Sequence, residues 1–174
     1  MKAPLLNDTE FDTVFAHIET MKRPAHYRLL LLLCRDLGLR PIELARLESN
    51  WFRGGELRIP HGQSKRKRPR SIMVSPAIME ALEAHMQGRT GRVFLNQQGE
   101  AMLPSLISDS IRRLFKQAGI QASCYSGRRT LATRLVEKNV NILTIQSILG
   151  HSNPMTTLAY CEVTPEMQRA ALFG

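Results

Sequence analysis

Cysteine is scarce in this chain: Cys34, Cys124 and Cys161 are an odd number with no C-x-x-C pair. That spacing excludes a disulfide framework and a cysteine-built zinc cluster, leaving reduced thiols as the expectation and Cys34 as core filling. Long apolar runs are missing too. The stretch "LLLLLCRDLG" falls short of the roughly 18 apolar residues of a spanning helix, and the opening "MKAPLLNDTE" has no signal-peptide core. A membrane partner is therefore not expected, and a cytoplasmic placement is. Acidic residues are the third shortage, with 15 Asp and Glu against 24 Lys and Arg, a formal net charge of +9 and a pI near 10.1. In a chain that is 43% hydrophobic, this describes a folded domain with a basic surface whose natural partner is a polyanion. No Asp/Glu cluster for magnesium stands out, and no aromatic-rich strand motif of an RNA-binding sheet is visible.

What is present is mostly helical periodicity. "NDTEFDTVFAHIET" spaces Phe11, Val14, Phe15 and Ile18 on one face behind a capping start, which predicts an amphipathic helix lying as a lid on the core. "PAHYRLLLLLCRDLG" is apolar nearly all round, opens on Pro24 and ends at Gly38, the pattern of a central buried helix. Pro41 restarts a helix in "RPIELARLES", with Arg40 at the cap position. "ELRIP" and "RSIMV" read as short strands around the loop "HGQSKRKRP", with "RVFL" as a possible third; Trp51 reads as a core or turn anchor. "SPAIMEALEAHM" is helical, and "LPSLISDSIRRLFKQAG" places Leu103, Leu106, Ile107, Ile111, Leu114 and Phe115 at helical spacing. "SGRRTLATRLVEKN", "NILTIQSILG", "NPMTTLAY" and "TPEMQRAALF" read as further helices split by Asn, Gly and Pro. The expected fold class is mainly α with a small antiparallel β-sheet, an α+β domain spanning residues 1–174.

Polar residues stand at the punctuation marks. Arg40 precedes Pro41, Arg128 follows Ser126 and Gly127, and His151 lies between Gly150 and Asn153-Pro154. Read as three helix N-termini, these positions describe an anion site, because free N–H groups and the positive dipole end gather there. Two guanidinium forks suit the non-bridging oxygens of one phosphodiester and stabilise the added charge of a pentavalent transition state.

Order and spacing then become specific. "LGLRPIELARL" resembles the first arginine box of the tyrosine recombinases, the phage-integrase family; "SGRRTLATRL" resembles the second, and "LGHSNPMTTLAY" the third. The resemblance implies that Arg40 and Arg128 clamp the phosphate, that Glu43 braces the site, that His151 hydrogen-bonds the scissile phosphate, and that Tyr160 is the nucleophile. It also places a lysine on the hairpin loop to protonate the leaving 5′-oxygen. The "QSK" of "HGQSKRKRPRSIMV" selects Lys65, with Lys67 as the fallback. Arg66, Lys67, Arg68, Arg70 and Arg129 are expected on the DNA backbone. One departure stands out: three residues before the second arginine the family usually has histidine, and "CYSGRR" offers Tyr125. A phenol donates a hydrogen bond, but with an ordinary pKa of about 10 it accepts protons poorly at neutral pH. Tyr125 is therefore expected to position the phosphate, or else simply to pack.

The implied reaction is transesterification through a 3′-phosphotyrosyl link, with no cofactor, neither ATP nor metal. The implied partner is double-stranded DNA, bound by a homotetramer in the synapse and by a monomer or weak oligomer when free. DNA-bending accessory proteins and association with the nucleoid belong to the same picture. Residues 161–174 form a tail expected to dock in trans, and the N-terminal clamp domain of most relatives is not expected within this sequence, which is read as a small family member without it or else as a fragment. Alternatives are a catalytically silent DNA-binding accessory protein of the same fold and a type IB topoisomerase-like nick-and-reseal activity.

Overall fold

The computed structural model describes residues 3–63, 69–151, 153–158, 169, 172 and 173. Helix α1 (Asp8–Glu19) starts where Asn7 Oδ1 accepts from the Glu10 N–H at 2.8 Å, and the Glu10 carboxylate returns the bond to the Asn7 N–H at 2.8 Å. This reciprocal cap satisfies two donors that the first helical turn leaves open. Phe11, Val14 and Ile18 are fully buried, and Phe15 lies at the edge of the core beneath the Arg35 guanidinium, 4.9 Å from its ring centroid. Helix α2 (Pro24–Asp36) buries Leu29, Leu30, Leu31, Leu32, Leu33 and Cys34 in succession. Each buried leucine contributes on the order of 1.5–3 kcal/mol relative to exposure, so α2 is the element on which the rest condenses.

Short α3 (Pro41–Arg46) follows at once, then a 3-10 turn (Ser49–Trp51). The antiparallel sheet runs β1 (Phe52–Arg53), β2 (Glu56–Ile59) and β3 (Arg70–Met73), in that spatial order. Leu57 pairs with Ile72, which points both at the core, while exposed Arg58 pairs with exposed Ser71 on the other face. The third strand is therefore Phe52–Arg53, folded back by Gly54-Gly55, and not "RVFL". Val93 and Phe94 are fully buried, but Arg92 and Leu95 make only isolated bridges to Glu48 and Ala101.

Helix α4 (Pro76–Met86) packs on α2, and α5 (Pro104–Gln117) packs on α3. The buried stripe of α5 is Ile107, Ser110, Ile111, Leu114 and Phe115; Leu103 caps the helix and Leu106 is exposed, so neither joins the stripe expected of them. Helix α6 (Cys124–Glu137) lies across α2, and α7 (Ile142–Leu149) closes a small second cluster with it around Ala132, Val136, Ile145 and Leu149. Helix α8 (Pro154–Leu158) follows. The expected tail helix "TPEMQRAALF" falls almost wholly outside the described residues, as does Cys161. Among the described residues no helix is long and apolar enough to cross a membrane.

Candidate active site

Four segments meet at the C-terminal end of α7. Gly150 caps that helix at φ 62, the left-handed region that leaves the Leu149 and Gly150 carbonyls without helical partners. Arg40 and Arg128 supply the missing donors. Arg128 gives Nη2 to Leu149 O at 2.7 Å and Nη1 to Gly38 O at 2.6 Å, and its residue is only 4% exposed. Arg40 reaches Leu149 O with Nη1 at 3.5 Å and Gly150 O with Nη2 at 3.3 Å. Two guanidinium groups 88 positions apart in the chain thus share one backbone carbonyl, that of Leu149, with His151 two residues further along.

Arg40 sits where the sequence places it, as the extended residue before Pro41. Arg128 does not stand at a helix start. Helix α6 begins at Cys124, capped by Ser123, so Arg128 lies in its second turn. Gly127 is part of the helix because its Cα passes the α2 backbone: a Cβ there would lie 2.8 Å from Cys34 O. Close crossing of α2 and α6 is thus what carries Arg128 to Gly38 and Leu149.

Glu43 is completely buried beside the two arginines. Its Oε2 accepts from the Arg40 N–H at 2.8 Å and from Arg70 Nη2 at 3.0 Å, while Oε1 lies 3.5 Å from Arg40 Nη1. A carboxylate is held in a dry interior only when its charge is compensated, and here two cations do so. Arg70 was expected on solvated DNA backbone; its side chain is instead 6% exposed, facing inward from the first position of β3. Burial pulls its guanidinium below its ordinary pKa, with Glu43 opposing the shift and Arg40 adding to it. It also lies against Gly150, where a Cβ would come within 2.1 Å of Arg70 Nη1.

His151 is buried, with Nδ1 2.8 Å from Thr157 Oγ1 on α8; its own N–H donates to Gln146 O at 3.1 Å, and Gln146 Nε2 donates to its carbonyl at 3.0 Å. Thr157 of α8 therefore orients the ring, while Gln146 of α7 fixes the His151 backbone. Tyr125, on the first turn of α6, is 53% exposed and so does not pack in the core. Arg129 is tethered to Ala3 O at 2.5 Å, so it too differs from a free backbone-binding arginine. Lys65, Arg66, Lys67, Arg68 and Tyr160 lie outside the described residues. Sequence reasoning missed Gly38, Thr157 and the inward turn of Arg70. Gly38 was visible as a helix stop, whereas nothing distinguishes Thr157 from Thr156 in "NPMTTLAY".

Three comparisons bear on this arrangement. The family model described as "Phage integrase family" matches residues 5–167. A "Tyrosine recombinase" of Pseudothermotoga lettingae is 31% identical over 153 residues, covering 84% of this chain and 52% of its own. "Tyrosine recombinase XerC" of Chlamydia caviae is 28% identical over 155 residues, covering 82% and 48%. The chain thus spans about half the length of the curated relatives it matches. Among solved structures, the crystal structure of XerA recombinase superposes with a TM-score of 0.78 at 21% identity, over 98% of this chain and 64% of the other. The XerH site-specific recombinase bound to its difH substrate, a pre-cleavage complex, gives 0.79 at 22% identity, over 99% and 55%.

Proposed function

This chain belongs to the phage integrase family, the tyrosine recombinases, and on that premise we propose that it is a site-specific DNA recombinase acting through a 3′-phosphotyrosyl intermediate. The observation that carries the reading is the convergence of Arg40 and Arg128 on the Leu149–Gly150 turn beside His151. Those carbonyls hold the guanidinium groups in place, so that donors for a phosphate are fixed before the substrate arrives, the arrangement that lowers reorganisation in the transition state. Tyr160 gives up its phenolic proton to His151 or water as its Oη attacks the phosphorus, the phosphorus–5′-oxygen bond breaks, and Lys65 delivers a proton to the leaving oxygen. Arg40, Arg128 and His151 hold the non-bridging oxygens as charge accumulates on them. The incoming 5′-hydroxyl of a partner duplex reverses the step, conserving the bond energy in the protein–DNA link. Tyr125, exposed on the first turn of α6, donates its hydroxyl to the same phosphate.

In the same reading Arg66, Lys67 and Arg68 hold the duplex backbone, four protomers assemble on DNA, and residues 161–174 dock on a neighbouring protomer. The substrate places the protein with the nucleoid in the cytoplasm. The test is incubation with nicked suicide duplexes carrying candidate sites, followed by denaturing gels. A covalent protein–DNA band is expected, and Tyr160→Phe removes it. A band that survives this substitution, or that never forms on the DNA flanking the gene, refutes the reading.

A further inference from the structure

The site described above holds one cation more than a two-arginine clamp requires. Arg70 reaches it from β3, far in sequence from both arginine boxes, and its side chain is more than nine-tenths buried. Its Nε and Nη1 have no hydrogen-bond partner among the described residues, and only Nη2 is engaged, with Glu43 at 3.0 Å. The three acceptors of the turn region are already divided between the other two guanidinium groups: Gly38 O goes to Arg128, Gly150 O to Arg40, and Leu149 O to both. Glu43 lies closer to Arg70 than to the Arg40 side chain, at 3.0 Å against 3.5 Å.

We propose that Arg70 is a positioning residue: it takes up the charge of Glu43, so that Arg40 keeps its own charge for the phosphate. The proposal rests on the recombinase reading of the same site and deepens it. Glu43 is needed to fix the Arg40 backbone, since its Oε2 accepts the Arg40 N–H at 2.8 Å. An uncompensated carboxylate at that place would cancel half of the positive charge that Arg40 and Arg128 offer. With Arg70 in place the group of four carries two positive charges in excess, and without it one. A phosphodiester gains a second negative charge as it becomes pentavalent, so this difference weighs more on the transition state than on the bound ground state. Gly150 belongs to the device, because any side chain there would displace the Arg70 guanidinium.

The experiment compares the wild-type chain with Arg70→Gln, Arg70→Lys and the double variant Arg70→Gln with Glu43→Gln. Two readouts are used: stabilisation of the DNA-free protein by inorganic phosphate, read as a shift in Tm, and single-turnover cleavage of a nicked duplex at saturating protein. Arg70→Gln is expected to shrink the phosphate shift and to slow cleavage by roughly 10- to 100-fold, less than loss of a direct transition-state donor would. Removing the carboxylate in the double variant returns both quantities at least halfway, on a logarithmic scale, towards wild type, and Arg70→Lys stays within about tenfold of wild type because it keeps the charge. If Arg70→Gln fails to fold, the ranking of Arg70→Lys and the double variant against wild type decides by the same criteria. A double variant as slow as or slower than Arg70→Gln, or slower than tenfold below wild type when the single variant does not fold, overturns the proposal, since Arg70 then contacts the phosphate itself or merely packs. A wild-type chain that never forms an adduct sinks the recombinase reading, while the phosphate shifts still decide the role of Arg70.

Discussion

His26 sits in an environment far from its ordinary chemistry. It is 4% exposed, its Nδ1 finds no hydrogen-bond partner among the described residues, and it meets the rings of Tyr27, His85 and Phe94 edge-on at 5.0, 5.3 and 5.4 Å. Burial lowers its pKa from 6.5 to about 3, with the charges of Arg23 and His85 adding to the effect. Folded His26 is therefore neutral while the unfolded chain takes up a proton below 6.5, so between these limits the unfolded state binds more protons and stability is lost as the pH drops. The slope is at most about 1.4 kcal/mol per pH unit from this one group. His85 is lowered in the same direction, chiefly by burial, and adds to the trend. Urea unfolding at pH 7, 6 and 5 is expected to show His26→Phe losing less stability on acidification than the wild type; parallel losses would mean that His26 is not the titrating group. Legibility differed between residues of the site for a related reason. Arg40, Glu43, Arg128 and His151 were readable because punctuation and family spacing mark them, but Arg70 looked like one more charge in "KRKRPR". A run of like charges says nothing about which member turns inward; that is set by the pleat of β3, which buries Ile72 and with it sends Arg70 to the same side.

At the scale of elements, the helices were legible and the strands only partly so. Amphipathic spacing and caps marked α1, α2, α4 and α5, since burial of one stripe leaves a period in the sequence. β1 has two residues and no alternation to read, and its signal was the Gly54-Gly55 pair that turns it into β2. "RVFL" misled because Val93 and Phe94 are buried for packing rather than for pairing. Gly127 misled in a different way: it read as a break before Arg128, yet it is the contact point of two helices. A methyl group there would meet Cys34 O at 2.8 Å and Arg35 N at 3.4 Å, both backbone atoms that no side-chain rotation can clear. Gly127→Ala is therefore expected to part α6 from α2. It should cost about 1–3 kcal/mol in denaturant unfolding, the range for overpacking a filled core, despite the higher helix propensity of alanine. Because Arg128 lies one residue on, the same variant is expected to lower DNA cleavage beyond what its lost stability explains. Unchanged stability would show that the two backbones have room to separate.

For the molecule as a whole, the proposed function makes the excess of basic residues the means of meeting DNA, but not all of those residues are available to it. Arg70 is committed to Glu43, Arg129 is tethered to Ala3, and Arg134 pairs with Asp8. Formal charge counted along the chain therefore overstates the charge available to a duplex. If Arg40, Arg128, Arg66, Lys67 and Arg68 are the phosphate contacts, the slope of log affinity against log salt should be about −4 to −5, a loss on the order of several hundredfold between 50 and 200 mM salt. Neutralising Lys67 or Arg68 should make that slope shallower by about 0.9 each, because each phosphate contact releases one condensed counterion. Arg70→Gln should shift it by less than either, because Arg70 itself touches no phosphate and acts only through the charge left to Arg40. Filter binding or fluorescence anisotropy across a salt series separates these cases on one set of proteins. A slope that moves as much for Arg70 as for Arg68 would place Arg70 on the DNA after all.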